Sequence, residues 1–207
     1  MAPGVGVVVL AGGASRRFGA DKLVADLGGR PVLGRCLDAV AAALPGAPVV
    51  VVGPPSRARD GADVVAEDPP GSGPAAGVLA GARHLATTAA PAVVAVVPGD
   101  APWAGSALPA LLAALGTEPG AGPSPDRGGG PDAAVAVSPD GRLQHLLLAV
   151  RAEHLARHRP QDVAGAPARA LVVGLRVELV EVDERAALDV DDADALERAR
   201  ERLGRGG

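Results

Sequence analysis

The sequence predicts an open, mostly parallel α/β sheet in a single domain, three layers deep. Two observations carry this. Short apolar runs rich in valine and without polar alternation, such as Val5–Leu10 and Val49–Val52, read as strands buried on both faces. Each is followed by a loop and then by apolar residues at helical spacing, so that strand, loop and helix recur. In such sheets ligands bind outside the carboxyl ends of the strands.

Val5–Leu10 is the first expected strand, and it ends in Ala11-Gly12-Gly13. Pro31 suits a first helical position, and Val32, Leu33, Leu37, Val40, Ala41 and Leu44 follow on one helix face until Pro45-Gly46. Val49–Val52 and Asp63–Ala66 are the second and third strands. Gly71-Ser72-Gly73-Pro74 opens a helix over about Ala75–Thr87. Ala92–Val97 is the fourth strand, ending in Pro98-Gly99-Asp100, and a helix follows over about Ser106–Leu115. The loops after Leu10, Ala66 and Val97 should therefore share one crevice.

Residues 116–131 break the pattern. Ten of these sixteen residues are Gly or Pro, which predicts a flexible loop. Beyond it, Ala133–Val137 and Arg142–Leu148 read as strands around a Pro139-Asp140-Gly141 turn. Arg151–His158 and Pro167–Leu175 read as helices. Arg176–Val182 alternates like a half-buried strand, and Asp192–Leu203 is a charged closing helix. No repeat and no second core divides residues 1–207.

Composition narrows the function. Val, Leu and Phe make up a quarter of the 207 residues, above the fraction of about a fifth that marks disordered chains. The net charge is −4 and no polybasic segment occurs, so neither nucleic acid nor an anionic membrane is an expected partner. One cysteine, Cys36, forms no internal disulfide and no cysteine-based zinc site. Apolar runs are too short for a membrane span, and Met1–Gly6 lacks the charged start of a signal peptide. The expected location is cytoplasmic. The basic residues divide into 19 Arg and a single Lys, Lys22. In a chain biased towards arginine, a retained lysine marks a place where the two are not equivalent.

The stretch from Leu10 to Lys22, LAGGASRRFGADK, carries most of the chemistry. Its glycines, Gly12 and Gly13 among them, allow tight turns with free backbone amides. Ser15, Arg16, Arg17 and Lys22 add side-chain donors and three positive charges, which suits a polyphosphate. It is not a Walker A loop, because two residues separate Gly19 from Lys22, and it lacks the dinucleotide fingerprint G-x-G-x-x-G.

This string resembles the signature loop of nucleotidyltransferases of the molybdenum cofactor guanylyltransferase (MobA-type) family. That pattern is LAGG, a variable residue, Ser or Ala, Arg-Arg, an apolar residue, Gly, and then Asp-Lys. The likeness continues through Glu67-Asp68, Gly73-Pro74-Ala75-Ala76-Gly77, Val97-Pro98-Gly99-Asp100-Ala101-Pro102 and Leu188-Asp189-Val190-Asp191. The resemblance implies a Rossmann-like nucleotidyltransferase fold. It implies Mg²⁺-dependent transfer of GMP from GTP to the phosphate of molybdopterin-bound molybdenum, with release of pyrophosphate. By the same resemblance, backbone groups of Leu10, Ala11 and Gly12 hold the nucleotide. Lys22 touches its phosphates, Asp68 reads guanine and Asp100 binds the metal. Arg17 joins Lys22 and Asp100 as an expected catalytic residue. Molybdoenzymes or their chaperones are the implied protein partners.

The sequence departs from the family in two places. The family often has asparagines where this chain has Gly53 and Asp189-Val190-Asp191, and this chain contains no asparagine. Asp189 and Asp191 resemble instead the D-x-D of cytidylyltransferases, with Asp191 a candidate second metal ligand. A cytidylyltransferase for the same cofactor, or another small-molecule nucleotidyltransferase, is therefore the alternative. A non-catalytic nucleotide-binding partner of molybdoenzymes is the rival of another class, and Lys22 and Asp100 argue against it.

Several residues have plainer readings. Asp100 and Asp192 are each placed to cap a following helix. Asp68 fits a solvated loop, Trp103 and Cys36 fit packing, and His154 and His158 at i, i+4 fit an exposed helix face.

Overall fold

Val5–Leu10 forms strand β1, with Val7, Val8 and Val9 fully buried. The computed structural model of the protein describes residues 4–12, 21–58, 61–117 and 129–204. Among the described residues six more strands follow: β2 (Val49–Val52), β3 (Asp63–Val65), β4 (Val93–Pro98), β5 (Ala133–Val137), β6 (Leu143–Arg151) and β7 (Val177–Glu181). All seven join one sheet in the order β3-β2-β1-β4-β6-β5-β7. Pairs β1/β2, β1/β4, β2/β3 and β5/β7 are parallel; β6 runs antiparallel to both β4 and β5.

The valine-rich strands bury both faces because helices cover both, which makes the three expected layers. On one face helices α1 (Val32–Ala43) and α3 (Leu108–Ala114) pack Leu33, Val40, Leu108 and Leu111 against Val7, Val9 and Val97. On the other, helix α2 (Pro74–Thr88) and the short α4 (Ala152–Leu155) pack Val78, Leu79 and Leu155 against Val8, Val52 and Val96. Helix α5 (Ala193–Gly204) closes a smaller cluster of Leu27, Val32, Val190, Leu196 and Ala199.

The turn at Ala104–Ala107 lies against α1 so closely that only glycine fits. A Cβ at Gly105 would come within 2.4 Å of the Ala39 carbonyl carbon and 2.5 Å of the Val40 nitrogen. Both are backbone atoms and cannot rotate away. Gly105→Ala is therefore expected to cost about 1–3 kcal/mol as an overpacked site. At about 2–4 °C per kcal/mol for a chain of this size, a thermal melt checks it, and an unchanged Tm would contradict the contact.

The second half differs from expectation in four places. Arg142–Leu148 was expected as the strand, but β6 runs on to Arg151, because Arg151 N donates to Asp132 O and Ala152 N to Ala92 O. The helix expected over Arg151–His158 is thus reduced to α4. The helix expected over Pro167–Leu175 is a 3-10 turn, Ala168–Val172, bounded by Gly165 and Gly174 with φ of 75° and 79°. The strand expected over Arg176–Val182 is β7, a largely exposed edge rather than a half-buried strand. Of the expected flexible loop, residues 118–128 lie outside the described residues.

Candidate active site

From β1 the chain moves to β2 and β3 on one side, while β4 lies on the other. The carboxyl ends of β1 and β4 therefore flank the switch point where such sheets open a crevice. A cavity of about 570 Å³ lies there. Gly12 after β1, Gly53 after β2, Glu67 after β3 and Asp100 after β4 all line it, together with Gly71, Gly73, Pro74 and Gly77 around the start of α2 and Leu146 of β6. The three loops expected to share one crevice do share it.

Lys22 stands at the centre of the charged groups. Its Nζ is 2.5 Å from Asp100 Oδ2 and 2.6 Å from Asp191 Oδ1. Burial on its own would lower the lysine's pKa, but the hydrogen bonds and charges of Asp100 and then Asp191 hold it above its ordinary value. Asp191 reaches this position although about ninety residues separate it from Asp100. Val190 N donates to Asp100 O at 2.9 Å, and the Val190 side chain is fully buried beneath α5. That backbone bond and the buried Val190 side chain hold Asp189 and Asp191 alongside Asp100. Burial raises the pKa of Asp189, and the negative charges of Asp191 and Asp100 raise it further.

Two carboxylates converging on one cation form a hard-oxygen donor set. It fits a small divalent ion such as Mg²⁺, which takes one or two protein carboxylates and completes its shell with phosphates and water. Among the described residues no group of three or more His, Cys, Asp or Glu is arranged to hold a metal. A metal here would draw Asp100 and Asp191 from the protein and its remaining ligands from elsewhere.

The nucleotide-binding residues expected on the first loop divide. Leu10, Ala11 and Gly12 are described, and Ala11 is pinned by Ala11 N donating to Val52 O at 2.8 Å. Gly13, Ser15, Arg16 and Arg17 lie outside the described residues. Asp68, expected to read guanine, is exposed, and its neighbour Glu67 is the acid on the cavity wall. Glu67 Oε1 also accepts from Gly71 N at 3.0 Å, bracing the turn into α2. Asp192 caps α5, its Oδ1 accepting from Ala195 N at 2.7 Å. Trp103 packs beside the α5 cluster with the Arg185 guanidinium 4.8 Å from its ring centre. Cys36 is wholly buried in α1, where burial pushes its thiol pKa up. The histidine pair is a correction: His154 is buried, its Nε2 3.4 Å from Asp132, because α4 is pressed onto the sheet.

Sequence reasoning missed Arg57. It is 6% exposed, a buried cation at the end of the 3-10 turn Pro55–Arg57. Nothing in the sequence separates it from the other arginines; only the fold brings it to the first loop.

A family model for the MobA-like NTP transferase domain matches residues 7–177, which hold Lys22, Asp100 and every residue that lines the crevice, while the Asp189–Asp191 segment lies beyond the match. The chain belongs to this family. Among solved structures, a homologue of the Mycobacterium tuberculosis protein Rv0371c from Mycobacterium sp. strain JC1 is 25% identical. It covers 97% of each chain with a TM-score of 0.71. Molybdopterin-guanine dinucleotide biosynthesis protein A from Archaeoglobus fulgidus is 22% identical, covering 96% of this chain and 98% of its own, with a TM-score of 0.64. Rv0371c from M. tuberculosis H37Rv in complex with manganese gives the same four figures, 22%, 96%, 98% and 0.64. No curated protein sequence matches this chain. Among the described residues no helix is long and apolar enough to cross a membrane.

Proposed function

We propose that this chain transfers GMP from GTP to the phosphate of molybdopterin-bound molybdenum, releasing pyrophosphate, with Mg²⁺ as its metal. The observation that carries the reading is Lys22 held between Asp191 and Asp100, the latter on the wall of the β1/β4 crevice, within a MobA-like NTP transferase domain. The attacking group is already an anionic phosphate, so no strong general base is needed. The work of the protein is to align the two phosphates and to offset the charge that grows on the leaving pyrophosphate. Lys22 brings a compact positive charge for an oxygen of that triphosphate. Backbone groups of Leu10, Ala11 and Gly12 hold the nucleotide at the end of β1, with Ser15, Arg16 and Arg17 as further phosphate donors. Asp100 and Asp191 would hold a divalent ion, which would supply further positive charge to offset that of the phosphates. The manganese complex of Rv0371c supports a divalent metal in this fold.

Guanine is supported by the acids that end β3. A carboxylate accepts from both N1–H and the 2-amino group of guanine, a pair that adenine does not present. The resemblance gives this task to Asp68, and Glu67 beside it lines the cavity. A second reading has its own observation. Asp189 and Asp191 stand beside Asp100 as a D-x-D pair, which favours a cytidylyltransferase.

A thermal-shift comparison of GTP, CTP, ATP and UTP with Mg²⁺ separates the two. GTP at a hundred times its Kd is expected to stabilise the protein by about 2.7 kcal/mol. The other three at equal concentration should stabilise it less. A larger shift with CTP would replace the guanylyl reading by the cytidylyl one, and no shift with any of the four would remove nucleotide binding altogether.

A further inference from the structure

Arg57 makes two contacts that lie ten residues apart in the chain. Its Nε donates to Ala11 O at 3.2 Å, and its Nη1 lies 2.6 Å from Asp21 Oδ2. Ala11 is where the first loop leaves β1, and Asp21 is where it ends. One planar guanidinium therefore spans both ends. The side chain is only 7% exposed, so these partners replace the water that a buried cation would otherwise lose. Space for it exists because position 53 lacks a side chain: a Cβ at Gly53 would stand 2.8 Å from Ala11 O and 3.3 Å from Arg57 Cγ.

The contact continues to the charged centre. Asp21 Oδ1 accepts from Leu23 N at 3.2 Å, capping the 3-10 turn Lys22–Val24. Both oxygens of Asp21 are thus used, one by Arg57 and one by the turn that carries Lys22. Fixing Asp21 fixes the base of that turn, and Lys22 then reaches Asp100 and Asp191.

We propose that Arg57 is a positioning residue that clasps Ala11 to Asp21 and so aims Lys22 into the crevice before the nucleotide arrives. This rests on the reading that the crevice takes a nucleoside triphosphate. Two of its donors are turned to Ala11 and Asp21, and the role assigned to Arg57 is this clasp rather than a phosphate contact. Lysine cannot replace it fully: one ammonium can keep the charge on Asp21 but not the flat two-donor reach to both partners.

The test uses Arg57→Met, Arg57→Lys, Asp21→Asn and the double variant Arg57→Met/Asp21→Asn. Dissociation constants for GTP and CTP with Mg²⁺ are measured by calorimetry, and exchange of the Leu23 amide by NMR in the unliganded protein. Arg57→Met and Asp21→Asn should each weaken binding of the preferred triphosphate by about tenfold, and the double variant should be no worse than Arg57→Met, as for two residues acting through one contact. Arg57→Lys should recover part of the loss. In turnover the KM for the triphosphate should rise while kcat at saturation stays within about threefold, because bound nucleotide restores the aim at a cost in affinity. The Leu23 amide should exchange faster in both single variants. Asp21→Asn binding the triphosphate as tightly as wild type, or tighter, would overturn the clasp and make Arg57 a direct phosphate ligand. So would fully additive losses, or Leu23 exchange unchanged in both variants. If wild type binds neither triphosphate, the proposed function fails, and the clasp is then decided by Leu23 exchange alone.

Discussion

Lys22→Ala is expected to cut nucleotidyl transfer by about a hundred- to a thousandfold, the range seen when one charge-stabilising donor is removed from a site of this kind. The loss should appear in kcat as well as KM, because the charge that Lys22 meets grows as pyrophosphate leaves. The structure adds a second expectation. Without the ammonium, Asp100 and Asp191 keep their places, since Val190 N still bonds Asp100 O and Asp100 still follows β4. Two carboxylates then face one another without the cation between them. Mg²⁺ alone, with no nucleotide, should raise the Tm of Lys22→Ala more than that of wild type, where Lys22 already supplies the charge. Lys22→Arg should also lose much of the rate: a planar fork does not fit the point between two carboxylates that a tetrahedral ammonium fills. Wild-type turnover by the alanine variant would remove Lys22 from the chemistry.

How much of this was legible beforehand follows from the range of each contact. The strands β1, β2 and β4 are local facts, because a valine run buried on both faces needs no knowledge of its neighbours. The shared crevice follows from a general property of parallel sheets. Lys22 was legible for a compositional reason, as the single lysine. The nearness of Asp191 to Asp100 was not, because it depends on a loop after β7 returning to the first half of the sheet through Val190. Arg57 was illegible for the same reason: its partners, Ala11 and Asp21, lie 46 and 36 positions before it and meet it only when β2 docks on β1. The 3-10 turn at Ala168–Val172 shows the opposite failure. Apolar spacing over Pro167–Leu175 suits a helix, but a stretch enclosed by Gly165, Pro167 and Gly174 has no room to propagate one.

Asp100→Asn should raise the Mg²⁺ concentration needed for half-maximal turnover and lower the maximal rate, with the fold unchanged. Asparagine keeps the size of the side chain and a carbonyl that can still accept from Lys22, so circular dichroism should be unaltered. What it removes is the charge that draws a hard cation. The sequence makes Asp191 a candidate second ligand after Asp100. The structure puts its Oδ1 as close to Lys22 Nζ as Asp100 Oδ2, to within 0.1 Å. Asp191→Asn is therefore expected to shift the Mg²⁺ requirement too. The smaller shift belongs to Asp191, whose side chain is 36% exposed against 21% for Asp100, because water screens a more exposed charge more strongly. The double variant tests whether they share one ion. Carboxylates on a single cation should show a combined loss that is not the sum of the two, whereas independent sites should add. Turnover of Asp100→Asn with wild-type Mg²⁺ dependence would exclude that residue as a ligand. A large effect confined to Asp191 would place the metal on the segment before α5, where the D-x-D pair favours cytidylyl over guanylyl transfer.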